Sequence, residues 1–287
     1  MIDETARKIR DMQTHSSSAV AVAAAEALRE LIDREYSSVD QFLRDTEYNS
    51  SRLRQANPSH ASLQNTQHSL VRRVRDAEPS DLDEARSALS TAIDVAIEEV
   101  NQAATGAASN ALSLLNDGDV LLTHDFSSTV LSAIEQGHEA GMSFDIYVTE
   151  ARPRFLGRRM ARQVSAIPGM DVTLIIDSAA GHFLQSCDRV LIGMSCIVGE
   201  QLYNRVGTFM LCAAAKERGV PVTVVGAQTK ITGTGFTFEN DFRSSVEVMR
   251  EPTEAFAIDN PSYDATPLTM VDQIVTDEGI TEPTESG

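Results

Sequence analysis

The arrangement of apolar and polar positions changes character once along the chain, near residue 116. Before that point every run is helical: residues 19–31 are alanine-rich, and 39–53 continue with helix-compatible spacing. Asn57-Pro58-Ser59 interrupts the pattern, with Pro58 expected near the first position of the next helix. Ser80, Asp81 and Asp83 stand where the positive end of a further helix should lie. Leu82, Ala85, Leu89, Ala92, Ile93, Ala96, Ile97 and Val100 then fall on one face of a run reaching residue 111. With no period-two alternation to break it, the stretch 1–115 is expected to form a helical domain.

Asn116-Asp117-Gly118 is a turn signal, and beyond it short apolar runs alternate with helices. Strands are expected at 120–123, 144–149, 172–176, 190–192 and 222–225, and helices at 128–140, 158–167, 179–185 and 208–218. Continuous apolar strands separated by helices specify a parallel sheet covered on both faces. The expected fold class is therefore α/β: an N-terminal helical domain followed by a Rossmann-like parallel-sheet domain over 116–287. The stretch 272–287 carries five acids and no base and is expected to fray.

Charge narrows the function. The chain has 42 acidic against 24 basic residues, a net charge of −18, and its only lysines are Lys8, Lys216 and Lys230. That field repels phosphate backbones, and aromatic residues at 5% leave little to stack on bases, so nucleic acid is not an expected partner. An acidic, lysine-poor surface suits a cytoplasm at very high salt, so a halophilic source is expected; an acidic mesophile is the other reading. No apolar run approaches the ~20 residues that span a bilayer. Arg7, Lys8 and Arg10 are followed by His15-Ser16-Ser17-Ser18 rather than the apolar core of a signal peptide, so a cytoplasmic location is expected. Cys187, Cys196 and Cys212 form no CxxC pair and share no metal-ligand spacing with a histidine. Neither metal nor organic cofactor is implied.

Ligands of open parallel sheets bind at the carboxyl ends of strands, and those ends are polar here. The first strand runs into Thr123-His124-Asp125-Phe126-Ser127-Ser128 just before a helix, a place suited to an anion. Ordinary N-capping by Ser127 or Ser128 is the reading that spacing alone favours. The second strand ends in Glu150-Ala151-Arg152-Pro153-Arg154, with Arg158 and Arg159 a turn later; arginine forks suit phosphate, although surface pairing is the commoner use. Later strand ends present Asp177-Ser178, then Gly193-Met194-Ser195-Cys196, and Asn204-Arg205-Val206-Gly207-Thr208 opens a helix without a GxGxxG fingerprint. His124 with Asp125 is a candidate acid–base pair and Cys196 a candidate nucleophile, against the simpler readings of a capping histidine and a packed thiol.

Several of these segments, in order, resemble the family of the alpha, beta and delta subunits of translation initiation factor 2B. Its relatives include ribose 1,5-bisphosphate isomerase and methylthioribose-1-phosphate isomerase. The matching stretches are LLTHDFSSTV (121–130), the ExRP element at Glu150 to Pro153, DRVLIGMSCIV (188–198), NRVGTFMLCAAAKERGVPVTVVG (204–226) and NPSYDATPLTMVDQIVTDEG (260–279). Weaker similarity covers residues 9–28. The resemblance implies a homodimer or larger homo-oligomer, with a phosphorylated sugar or nucleotide, or translation initiation factor subunits, as partners. It also implies ligand contacts from His124, Ser127, Ser128, Glu150, Arg152, Ser195, Asn204, Arg205 and Lys230.

The family's isomerases interconvert an aldose 1-phosphate and a ketose phosphate with a cysteine and an aspartate at the strand ends. Here the cysteine position is Asp125, the aspartate of the Gly-Ala-Asp element corresponds to Ser195, and the N-terminal Arg-Gly appears as His15-Ser16. Groups acting as a unit lose most of their rate when one is removed. A non-catalytic regulatory or assembly protein, sensing a phosphorylated metabolite, is therefore the expected function. The alternative is a divergent sugar-phosphate isomerase of nucleoside salvage. In it Asp125 would carry the proton, and Arg152, Asn204, Arg205 and Lys230 would contact substrate.

Overall fold

The computed structural model describes residues 1–13, 16–232, 236–251 and 253–283. The chain divides into two compact units, Met1–Gln102 and Ala103–Gly287. The first is built from α1 (Ile2–Arg10), α2 (Ser17–Ala27, continued by a 3-10 turn), α3 (Val39–Gln55), α4 (Ala61–Asp76) and the first two-thirds of α5 (Leu82–Leu112). Ser16 and Ser38 start their helices by accepting the Ala19 and Gln41 amides at 3.2 Å each. Pro58 is not at the start of α4: the cap is His60, whose Nδ1 accepts the Leu63 amide at 3.1 Å. Leu28, Leu31, Phe42, Leu53, Leu63, Leu70, Leu89 and Ile93 form the fully buried core of this unit.

The second unit contains β1 (Val120–Thr123), α6 (Ser128–Glu139), β2 (Phe144–Thr149), α7 (Leu156–Val164), β3 (Met170–Ile175), the short α8 (Ala180–Phe183) and β4 (Arg189–Gly193). After these come β5 (Cys196–Val198), β6 (Gln201–Arg205), α9 (Thr208–Arg218), β7 (Val222–Val225) and β8 (Ile231–Thr232). The last are β9 (Tyr263–Pro267), β10 (Gln273–Thr276) and β11 (Gly279–Thr281). Seven strands form one sheet in the order β11-β10-β7-β4-β1-β2-β3, parallel except at β10–β11. Its central strands β4, β1 and β7 are almost entirely buried, which is why they read as unbroken apolar runs. The α/β fold expected from the sequence is present.

Two features depart from the sequence reading. The acidic stretch from Asp272 does not fray: β10 pairs in parallel with β7, β11 folds back on β10, and the strand register buries Ile274 and Val275 beneath the exposed acids. Residues 284–287 lie outside the described residues. A second sheet, in the order β8-β5-β6-β9, was not foreseen. Its strands are short, and β6 finds its partner β9 some 60 residues downstream, with Arg205 opposite Tyr263 and Asn204 opposite Asp264.

Candidate active site

Strand order reverses between β1 and β4, since β2 and β3 lie to one side of β1 while β4, β7 and β10 lie to the other. The crevice outside such a reversal is the binding position of doubly wound sheets. Gly193 ends β4 there; a Cβ on it would meet Ser127 Oγ at 2.5 Å, so its bareness lets the start of α6 close against the strand. Ser127 Oγ is spent on the cap, accepting the Val130 amide at 3.2 Å, and Ser128 is the first residue of α6.

Just outside β1 and β2, a narrow cleft open to solvent is lined by Asp125, Arg152, Arg154, Arg205, Arg243 and Glu247, with Asn260 and Ser262. Asp125 is held at φ 64° and Ala151, on the facing wall, at φ 56°. Such conformations cost roughly 1 kcal/mol or more in a non-glycine residue and persist where surrounding structure imposes them. The imposing contacts are visible. Asp177, from the end of β3, accepts the Ala151 and Arg152 amides at 2.8 Å each. Asp125 pairs with Arg205 at 3.4 Å, and the Arg205 guanidinium lies 4.8 Å from the centre of the Tyr263 ring.

His124 is buried beneath this pair and does not line the cleft. Its Nδ1 meets Thr149 Oγ1 at 2.7 Å and its Nε2 meets the Val206 carbonyl at 3.0 Å. It thus ties the ends of β1 and β2 to the turn after β6. That turn needs Gly207, at φ 107°, where a Cβ would meet the His124 ring at 2.8 Å. Asp264 fixes the same turn from β9, accepting the Gly207 amide at 2.6 Å and the Phe209 amide at 3.1 Å.

Of the remaining candidates, Glu150, Ser195, Asn204 and Lys230 fall outside the cleft and Arg152 lines it. Glu150 is engaged by Arg158 at 2.7 Å, and Arg158 lies over the Phe155 ring, so this part of the arginine cluster is internal pairing. Arg152 does line the cleft, with Nη2 donating to the Val248 carbonyl at 3.0 Å. Ser195, Asn204 and Lys230 belong to a separate buried polar group. Ser195 donates weakly to Asn204 at 3.5 Å, Asn204 donates to Thr208 at 3.2 Å, and Lys230 Nζ donates to the Met194 carbonyl at 3.2 Å. Burial pushes the Lys230 ammonium down to about 8 and the Cys196 thiol up to about 12, so Cys196 stays protonated at neutral pH and is a packed thiol. His15, the counterpart of the family's N-terminal Arg, lies outside the described residues.

The sequence reading named Arg154 only within the arginine cluster after β2 and did not single out Arg243, Glu247, Asn260 and Ser262. Arg154 directly follows the ExRP element and Asn260 opens the closing NPSYD motif, but Arg243 sits in irregular chain with no periodic signal. The cleft lining holds four arginines against Asp125 and Glu247, and Asp241 beside it pairs with Arg243 at 3.4 Å, which leaves a local excess of one positive charge in a chain of net charge −18. Burial lowers the Arg154 pKa; Glu247, 3.9 Å away, opposes the shift, while Arg205 and Arg243 add to it by repulsion. An anion entering here relieves that repulsion, and the planar forks suit phosphate oxygens. Asp125, facing those cations, is placed to move a proton on whatever the phosphate carries. Among the described residues no His/Cys/Asp/Glu cluster could hold a metal ion.

A Rossmann-like sheet whose switch point opens on an arginine-lined cleft defines an α/β protein with a cationic site at its strand ends. The chain belongs to the initiation factor 2 subunit family, whose model matches residues 13–283. It is 30% identical to a ribose 1,5-bisphosphate isomerase of Haloferax volcanii, covering 97% of this chain and 88% of that protein. It is 32% identical to a protein of the same name from Haloterrigena turkmenica, over 96% of this chain and 88% of that one. The structure superimposes on a Pyrococcus horikoshii translation initiation factor eIF-2B with a TM-score of 0.83 at 26% identity, covering 98% and 97% of the two chains.

These comparisons correct one expectation. Substitution of the family's cysteine and aspartate positions suggested a non-catalytic regulatory or assembly protein. Relatives at 27–32% identity over nearly the whole chain, named ribose 1,5-bisphosphate or 5-deoxyribose 1-phosphate isomerase, overturn that reading. The physical reason is local: Asp125 itself supplies a carboxylate at the cleft, against a largely buried guanidinium.

Proposed function

We propose that the protein is a sugar-phosphate isomerase acting on an aldose 1-phosphate of pentose size, such as ribose 1,5-bisphosphate, with Asp125 as proton carrier. The observation that carries this reading is the cleft at the strand reversal, where one strained carboxylate faces four arginines. Converting a furanose 1-phosphate to the open ketose moves the C2 hydrogen to C1 and breaks the bond from C1 to the ring oxygen. The 2-hydroxyl loses a proton as it becomes the ketone, and the released ring oxygen gains one. Asp125 accepts the first proton and returns it to the second site, ending in its starting state. Arg205, 3.4 Å from the Asp125 carboxylate, orients it for both transfers, and Arg152, Arg154 and Arg243 grip phosphate. A homo-oligomer and a cytoplasmic setting belong to the same proposal; light scattering in molar KCl tests the first.

The decisive experiment incubates the pure protein in molar KCl with ribose 1,5-bisphosphate and follows ketose formation by NMR. Turnover of roughly 1 per second or faster supports the reading. Conversion no faster than in a protein-free control overturns it.

A further inference from the structure

We propose that the groove between α3 and α4 is a second anion site, taking a phosphate or phosphomonoester dianion, apart from the cleft at the sheet.

The two helices form an antiparallel hairpin, and its outer groove encloses roughly 1070 Å³, part of it open to solvent. Arg54 from α3 and His68, Arg72 and Arg75 from α4 line it, with Glu47 and Asp76 as the facing acids. The spacing follows from the helices: residues 68, 72 and 75 recur at intervals of four and three on one face. Glu47 is already engaged by Arg75 at 2.8 Å.

Arg7, Arg29, Arg34, Arg52, Arg73, Arg75 and Arg86 each pair with a carboxylate. Arg44 has no such pair among the described residues but is exposed, so what distinguishes this groove is a guanidinium without a carboxylate pair, Arg54, that is half-buried. In so acidic a chain a partner is easily supplied. Among the described residues neither Arg54 nor Arg72 has one. Arg54 is half-buried, its Nε makes no hydrogen bond, and its Nη1 is directed at His68 Nε2 instead of an acid. That contact makes the imidazole the acceptor, with its proton on Nδ1. Burial, reinforced by Arg54, holds His68 below its ordinary pKa. Two guanidiniums without a carboxylate hydrogen bond, one of them eased only at a distance by Glu47, leave donors to spare beside the imidazole. A tetrahedral dianion supplies several acceptor oxygens and favours protonation of His68, which would turn that ring from acceptor to donor.

The test is proton NMR of the histidine ring signals of the full chain, titrated with inorganic phosphate at fixed ionic strength set by KCl. The His68 signal is assigned by its loss in His68→Gln. Phosphate should shift the His68 signal saturably and raise its pKa by about one unit. Arg72→Gln, a change at an exposed position, should weaken the response at least tenfold, and Arg54→Gln likewise. Arg152→Gln, in the sheet cleft, should leave it unchanged. A His68 titration identical in phosphate and chloride overturns the proposal. So does a response lost in Arg152→Gln but kept in Arg72→Gln, which would place the phosphate in the other cleft.

Discussion

Asp125→Asn is the substitution that separates the chemistry of the cleft from its packing. It is isosteric and removes one negative charge 3.4 Å from the Arg205 guanidinium. At an effective dielectric of about 20 the gross attraction at that distance is roughly 5 kcal/mol. The pair is not sealed, since its side chains retain 17% and 11% of their exposure, and Asp241 also acts on Arg205. The net stability loss should therefore be smaller, about 1–2 kcal/mol. Activity should respond differently in its two parts. Loss of a positioned proton carrier lowers kcat by about 10²- to 10⁴-fold. Substrate binding should hold or tighten, because the excess positive charge of the cleft grows by one. The assay is initial-rate ketose formation over a range of ribose 1,5-bisphosphate concentrations, with a urea melt of each protein as the folding control. A variant that keeps its fold and its kcat within about threefold of the parent refutes the assignment of Asp125.

Further expectations concern the surrounding residues. Arg243→Gln should raise KM by about tenfold or more, since a charge-assisted hydrogen bond is worth about 1.5–3 kcal/mol, while kcat changes little; a fall in kcat alone would contradict its phosphate role. Gly207→Ala forces an L-residue to φ 107° and drives a methyl into His124, which should cost about 2–4 kcal/mol in a urea titration; an unchanged midpoint would count against the turn geometry. Lys230 has its pKa depressed from 10.5 to about 8, so its buried charge penalises the folded state fully below pH 8. That penalty fades as the pH rises toward the unfolded value, because the unfolded chain then binds more protons than the folded one. Relative to Lys230→Met, the parent should therefore gain about 3 kcal/mol between pH 7.5 and 10.5, and a flat difference would show that Lys230 titrates normally.

Much of this architecture is legible in the sequence because it rests on local periodicity. The helical stretch, the strands β1, β2, β4 and β7, and the polar residues after each strand follow from short-range pattern and from the rule that parallel sheets bury both faces. Asp125, Arg152 and Arg205 are visible as polar residues at strand ends for the same reason. The acidic stretch after Asp272 misled because composition says nothing of pairing: Ile274, Val275 and Thr276 are buried in succession by β7 and β11 while the acids on either side project.

What only the tertiary structure decided is which of those polar residues meet. Asp125 and Arg205 lie 80 residues apart and are joined because β6 pairs with β9 in a second sheet beside the first. His124, a candidate acid–base partner by adjacency in sequence, is turned inward to Thr149 and Val206, whereas Arg243 arrives from irregular chain. A side chain's type and local conformation are written in its neighbours along the chain. Its electrostatic partner is set by strand order and by the few turns, such as Gly207, where bare backbone permits close approach.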